Sequence, residues 1–290
     1  MKNVKPSYRP AAPVLLWLTC LMLLQALTAC TVSRNDAARE PQRTAQYAAQ
    51  LNRSGYDLYN RGDYAGAEGQ YAQAVEIYSE VLSHDHPKRA ETLNNLAELY
   101  KVQGRYSESE PLYREALEIN RKTYGKQHPK VALVLNNLAG LHEDRREYKE
   151  AQNLYVRALK IDVKTLGPDH PDVASDLNNL GFLYFRQEEY SKAQQLYEKS
   201  LRIYEKVLGP DHPNVAINLN NLAELYRAKG EYMKAELHLK RSLVIWERAK
   251  GKQHPSLATG LDNYAALLRE TNRETRAAEM EARAQAIRAH

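Results

Sequence analysis

The dipeptide His-Pro stands at residues 86/87, 128/129, 170/171, 212/213 and 254/255, an unbroken step of 42 residues. No other feature constrains the fold as much. Asn-Asn-Leu follows each of the first four, at 94, 136, 178 and 220, and decays to Asp262-Asn263-Tyr264 in the last. A tyrosine closes each phrase at 64, 106, 148, 190 and 232. A fixed period of this length requires supersecondary units that stack, each burying a face that it cannot bury alone.

One unit, residues 90–131, shows what is repeated. Leu93, Leu96, Ala97 and Tyr100 recur at helical spacing and form one apolar stripe. Gly104-Arg105-Tyr106 interrupts it, and a second helix follows with Tyr113, Ala116 and Leu117 turned inward. Ser109 stands where later units have Ala151, Ala193 and Ala235, small residues that let two helices approach closely. Gly125, Gly167, Gly209 and Gly251 end the second helices, where a left-handed C′ residue is expected. The proline suits the first turn of the next helix and holds the histidine before it out of helical geometry. The excess of tyrosine, 20 against two Phe and two Trp, follows from the repeat using Tyr as its main large packing residue.

The small and large positions Leu96-Ala97, Tyr100, Gly104, Tyr106, Tyr113 and Ala116 resemble the tetratricopeptide repeat. The 42-residue step, the doubled Asn and the G-x-x-H-P connection resemble its kinesin light chain subgroup. The resemblance covers about residues 48–290. It implies an all-α solenoid of about six helix-turn-helix repeats, a right-handed superhelix with a concave groove that binds protein segments. The expected units are 48–89, 90–131, 132–173, 174–215, 216–257 and 258–290. The end units depart from the pattern, with Ser54-Gly55, Gly66 and Gly69 in the first and Glu281 in the last, as capping repeats do.

Residues 1–29 read as an export signal. Lys2, Lys5 and Arg9 precede an apolar run from Val14 to Leu27, which is too short for a confident membrane span. Its end, Leu27-Thr28-Ala29-Cys30, resembles the lipobox of bacterial lipoproteins. That resemblance implies cleavage before Cys30, acylation of Cys30, and anchorage through several acyl chains. Thr31, in place of an aspartate, points to the periplasmic face of the outer membrane. Residues 30–47 then read as the lipidated cysteine and a polar tether. Cys20 would be lost with the signal, leaving no cysteine free to mispair. Loss of Lys2, Lys5 and Arg9 from 41 basic residues leaves 38 against 36 acidic ones, a net charge of +2. That balance gives no case for nucleic acid.

Candidate chemistry is sparse. His86, His128, His170, His212 and His254 each occupy a separate inter-repeat turn, so they read as turn residues rather than convergent metal ligands or acid–base groups. There is no glycine-rich phosphate loop or nucleophile elbow, and the carboxylates lie at helical spacing beside Lys and Arg. The expectation is a protein that is not an enzyme and takes no cofactor. On the helix face opposite the packing stripe, Asn95, Asn137, Asn179, Asn221 and Asn263 form one ladder, and Asn94, Asn136, Asn178 and Asn220 a second. Amides offer both donors and acceptors, so these ladders either hydrogen-bond a bound peptide backbone or tie repeat to repeat. Phe182 and Phe185 fall on the same face in the central unit, with Leu133 and Ile217 on either side and Arg186 and Arg227 near. An apolar centre rimmed by arginine is the pattern of an interaction hot spot. The sequence thus points to a lipid-anchored envelope adaptor that holds a protein or peptide segment. The alternative is an accessory of a polysaccharide export machine that contacts glycan; the oligomeric state is left open.

Overall fold

A computed structural model describes residues 44–289. The expected signal, Cys30 and most of the tether lie outside the described residues. Helix α1 is described from 44, so the last four residues assigned to the tether are helical. Among the described residues the chain is all α, with twelve helices and no strand: α1 (44–60), α2 (Tyr64–Val81), α3 (Pro87–Val102), α4 (Tyr106–Tyr124), α5 (Pro129–Asp144), α6 (Tyr148–Leu166), α7 (Pro171–Arg186), α8 (Tyr190–Leu208), α9 (Pro213–Ala228), α10 (Tyr232–Lys250), α11 (Pro255–Glu270) and α12 (Glu274–Arg288). No described helix is long and apolar enough to cross a membrane.

Two compact units divide at Arg89 and Ala90. In the first, Ala45, Ala48 and Leu51 of α1 bury against Ala74 and Tyr78 of α2. Gly55 admits the Tyr71 ring, which would stand 2.8 Å from any added Cβ. The second unit is a run of helix pairs. Each first helix packs on its own second helix, as in α5 with α6 and α7 with α8, and each second helix packs on the first helix of the next pair. The small positions allow this closeness. Ser109 Oγ donates to the Ala97 carbonyl oxygen at 2.6 Å, and Ala151, Ala193 and Ala235 are fully buried. Gly181 goes further than the alanines that share its register, because an added Cβ would lie 2.9 Å from the ring of Tyr197. One core then runs from Val173 to Ile287.

The turns explain the His-Pro signature. Each histidine is the N-cap of the next first helix, and its ring Nδ1 accepts a hydrogen bond from the backbone N–H two residues on. The acceptors and donors are His86 with Lys88 (3.2 Å), His128 with Lys130 (3.1 Å), His170 with Asp172 (3.1 Å), His212 with Asn214 (3.1 Å) and His254 with Ser256 (3.2 Å). Proline at the first helical position removes a donor that would otherwise have no partner. The glycines ending the second helices differ from expectation. Gly125, Gly167, Gly209 and Gly251 have φ between 83° and 91° but ψ between 158° and 172°, not the left-handed helical region. That extended, positive-φ region is open essentially to glycine alone. It turns the chain outward toward the histidine instead of closing a Schellman loop.

Candidate functional site

On every first helix of the second unit, one stripe stays uncovered while its flanks are buried. In α5 the stripe is Leu133, Asn137, Gly140 and Asp144; in α7 it is Ser175, Asn179, Phe182 and Arg186; in α9 it is Ile217, Asn221, Glu224 and Ala228. The 42-residue step puts the same positions on the same side of every pair. Its most apolar members are Leu133, 56 % exposed, Phe182 at 37 % and Ile217 at 45 %.

The two phenylalanines separate. Phe182 lies on the open stripe, with the Arg186 guanidinium 5.8 Å from its ring centre. Phe185 instead leans into the corner between α7 and α8, 5.9 Å from the Tyr190 ring and against the buried core. Its position, three residues beyond Phe182, turns it toward the start of α8. The centre expected from the sequence is therefore one exposed ring supported by a second, packed one; the centroids are 6.3 Å apart. Arg186 also reaches Glu143, whose Oε1 is 3.9 Å away. Burial pushes the Glu143 carboxyl up to about 7, opposed by the Tyr155 O–H and by Arg186. Arg227 is tied down, donating to Glu224 Oε2 at 2.8 Å and to Glu270 Oε1 at 2.5 Å. It bridges α9 to α11 rather than rimming Phe182.

The asparagine ladders bond to each other. Asn137 donates to Asn94 Oδ1 at 2.9 Å, Asn221 to Asn178 Oδ1 at 3.0 Å and Asn263 to Asn220 Oδ1 at 3.1 Å. Each such amide pair joins a first helix to the first helix of the next repeat. Asn94, Asn178 and Asn220 of the other ladder thus supply the acceptors of these bridges, and Asn94 is buried; Asn136 makes no such bridge. The ladder of Asn95, Asn137, Asn179, Asn221 and Asn263 stays half-exposed along the stripe.

Clefts open between successive first helices. One, of about 260 Å³, is lined by Leu133, Asn136, Asp162, Asp172, Ser175 and Asp176 among others. Another, of about 180 Å³, is lined by Ile217, Asn220, Asn221, Trp246, Thr259 and Gly260 among others. Asp162 and Asp176 were missed from the sequence; both break the repeat's own template, and comparison of register would have found them. Among the described residues no three His, Cys, Asp or Glu side chains are grouped to hold a metal ion.

Paired helices in tandem, with one face of each first helix left open, define an α-solenoid scaffold of the kind that presents a long surface to another molecule. The tetratricopeptide repeat profile matches over residues 46–121, 90–162, 131–206, 177–243 and 215–289, so the chain belongs to the tetratricopeptide repeat family. Such repeats are scaffolds for protein–protein interaction, typically without catalysis, and their ligands are proteins or peptides. No curated protein matches the chain. Solved structures are similar in fold. BtubC (BKLC) from P. vanneervenii is 24 % identical with a TM-score of 0.60, over 85 % of this chain and 91 % of that one. A protein of Podosopora anserina, described as having kinesin light chain nearly identical TPR-like repeats, is 25 % identical with a TM-score of 0.55, over 70 % of this chain and 97 % of that one. PilW, described as a widely conserved type IV pilus biogenesis factor, is 18 % identical with a TM-score of 0.55, over 83 % of this chain and 93 % of that one.

Proposed function

We propose that this protein is a lipid-anchored adaptor of the bacterial cell envelope. Cys30 tethers it to the periplasmic face of the outer membrane, and the open stripe holds an extended segment of a protein partner during assembly of an envelope complex. One observation carries the reading of capture: Leu133, Phe182 and Ile217 sit uncovered on the same stripe of three successive first helices, Leu133 and Ile217 in one register and Phe182 two turns further along its helix. An extended chain crossing them would desolvate all three, with the exposed face of the Asn95-type ladder beside it to meet its backbone. Anchorage rests on the leucine, small residues and cysteine at the end of the apolar amino-terminal run.

Two variants test the two halves separately. Cys30→Ser is expected to abolish incorporation of a fatty-acid probe and to release the chain from the membrane fraction. Retention of label rules out the lipid anchor. Phe182→Ala is expected to leave melting unchanged and to weaken capture of the partner recovered with the wild-type protein by about 2 kcal/mol, as truncation at an interface centre does. Unchanged capture removes Phe182 from the interface.

A further inference from the structure

Inter-repeat clefts of the second unit share a register, and their linings can be compared position by position. Leu133, Asn136, Asp162, Asp172, Ser175 and Asp176 of one correspond, 84 residues on, to Ile217, Asn220, Trp246, Ser256, Thr259 and Gly260 of the other. The apolar and amide positions are retained; three neutral residues are replaced by aspartates. The other repeats agree that these acids are not part of the template. Asp162 stands where they have Tyr78, Asn120, Tyr204 and Trp246, and Asp176 where they have Thr92, Val134, Asn218 and Gly260.

The acids are buried and under-bonded. Asp176 is 1 % exposed and Asp162 is 4 % exposed. Asp162 Oδ1, Asp176 Oδ2 and the neighbouring Asn136 Oδ1 have no hydrogen-bond partner. The Asn–Asn bridge found at the other junctions fails at this one. Asn136 turns its amide N–H to Asp176 Oδ1 at 2.5 Å, and no donor reaches its own Oδ1. Glu236, by contrast, meets two cations, Lys240 and Arg273. The nearest cation lining this cleft, Lys130, has its Nζ 5.3 Å from the Tyr124 ring centre. Burial pushes the Asp162 carboxyl up to about 6 and the Asp176 carboxyl up to about 8, so the pair keeps a proton at neutral pH. Asn136 Oδ1 is left without a donor all the same.

Everything unfilled here is an acceptor, so the complement is a donor with positive charge. A volume of about 260 Å³ exceeds the roughly 30 Å³ that a water occupies. Pro129 and the exposed Leu133 line it beside the buried acids and offer apolar surface to a methylene stem. We propose that this cleft is a specificity pocket for a basic side chain, lysine or arginine, of the segment held on the open face. The proposal rests on the reading of that face as a peptide groove. The ammonium or guanidinium would donate to Asn136 Oδ1, Asp162 and Asp176. It would take the place of the proton that burial keeps on the pair, which leaves to solvent. The titratable groups around the pair are Lys130 of α5, the capping His170, Asp172 of α7 and Tyr204 of α8. The neutral cleft at Ile217 and Trp246 is the internal control, since it has no charge to exchange.

The test uses the full chain and fluorescein-labelled decapeptides of serine, alanine and leucine whose one central residue is lysine, arginine, norleucine or glutamate. Anisotropy is expected to show lysine and arginine peptides binding at least tenfold tighter than norleucine, with glutamate weakest. Calorimetry in buffers of different ionisation enthalpy is expected to show proton release with the lysine peptide and none with norleucine. Asp162→Asn with Asp176→Asn, each an amide that this repeat already holds in register at Asn120 and Asn218, is expected to bind lysine and norleucine peptides alike. Equal binding of lysine and norleucine peptides by the wild-type chain overturns the basic pocket and leaves the groove standing, as does a preference that survives the double substitution. Binding of none of the peptides overturns the groove itself and the pocket with it. The wild-type comparison decides the matter even if the double variant does not fold.

Discussion

Replacing a capping histidine by alanine separates a structural from a chemical role for the residue that defines the repeat. His170 and His212 are the cleanest sites, since neither is among the rings stacked on an aromatic neighbour, whereas His128 stacks on Tyr124 and His254 on Trp246. Each Nδ1 accepts one backbone N–H at 3.1 Å at the start of a 16-residue helix. Loss of an N-cap acceptor costs about 1 kcal/mol, within a range of roughly 0.5–2. For a domain of this size 1 kcal/mol lowers Tm by about 2–4 °C. His170→Ala with His212→Ala should therefore lower Tm by about 4–8 °C, read by circular dichroism at neutral pH. Asparagine, which offers a side-chain acceptor at the same position, should restore most of it. At His254 acid reaches the equivalent state without mutation, because a ring protonated at Nδ1 cannot accept. At His254, burial first and Lys250 second lower the pKa. The unfolded chain there binds its proton before the folded one, so stability is lost as pH falls through the histidine range. If His→Asn is as destabilising as His→Ala, the histidine acts by packing and the capping account is wrong.

Further outcomes follow from the same geometry. Gly209→Ala should cost about 1–3 kcal/mol, because φ 89° with ψ 158° is strained for any side chain although nothing crowds the Cβ; urea unfolding measures it, and a neutral result would mean that the turn relaxes. Phe182→Ala should change stability by less than about 0.5 kcal/mol, whereas Tyr197→Ala, with its ring 1 % exposed against Gly181, should cost about 3–5. If the two unfold alike, Phe182 belongs to the core. Asp176→Asn should raise stability at pH 8 and flatten its dependence on pH. Burial raises the Asp176 carboxyl from its ordinary range to about 8, so the folded chain holds a proton that the unfolded chain has released, and stability falls as pH rises from about 4 to about 8. Melting curves across that range check it, and an unaltered slope would place the titration elsewhere.

The period was legible because every repeat solves one packing problem with the same residues: Leu177, Leu180 and Gly181 bury where Leu93, Leu96 and Ala97 do. The His-Pro turn was legible for the same reason, down to its role at the helix entry. The glycine ψ was not, since sequence signals a positive φ and leaves the second dihedral to the turn that must be made. Nor was the partner of each asparagine, because the choice between a ligand and Asn94 Oδ1, 43 residues from Asn137, depends on how far apart neighbouring first helices lie. The direction of Phe185 was lost to a helical wheel that takes no account of Tyr190 at the start of the next helix. The buried acids show the converse. They are visible as departures from the template at 162 and 176, but their isolation from cations is a property of the packed junction.

The central claim is that the open stripe captures a protein segment. The most direct measurement installs a photoreactive phenylalanine analogue at 133, 182 or 217, and at Met233, which is 90 % exposed on α10 away from the stripe. Irradiation of living cells should give the same discrete cross-linked protein at 133, 182 and 217 and none at 233. Cross-linking at 233 equal to that at 182, or no adduct from any of the three stripe positions, would contradict it.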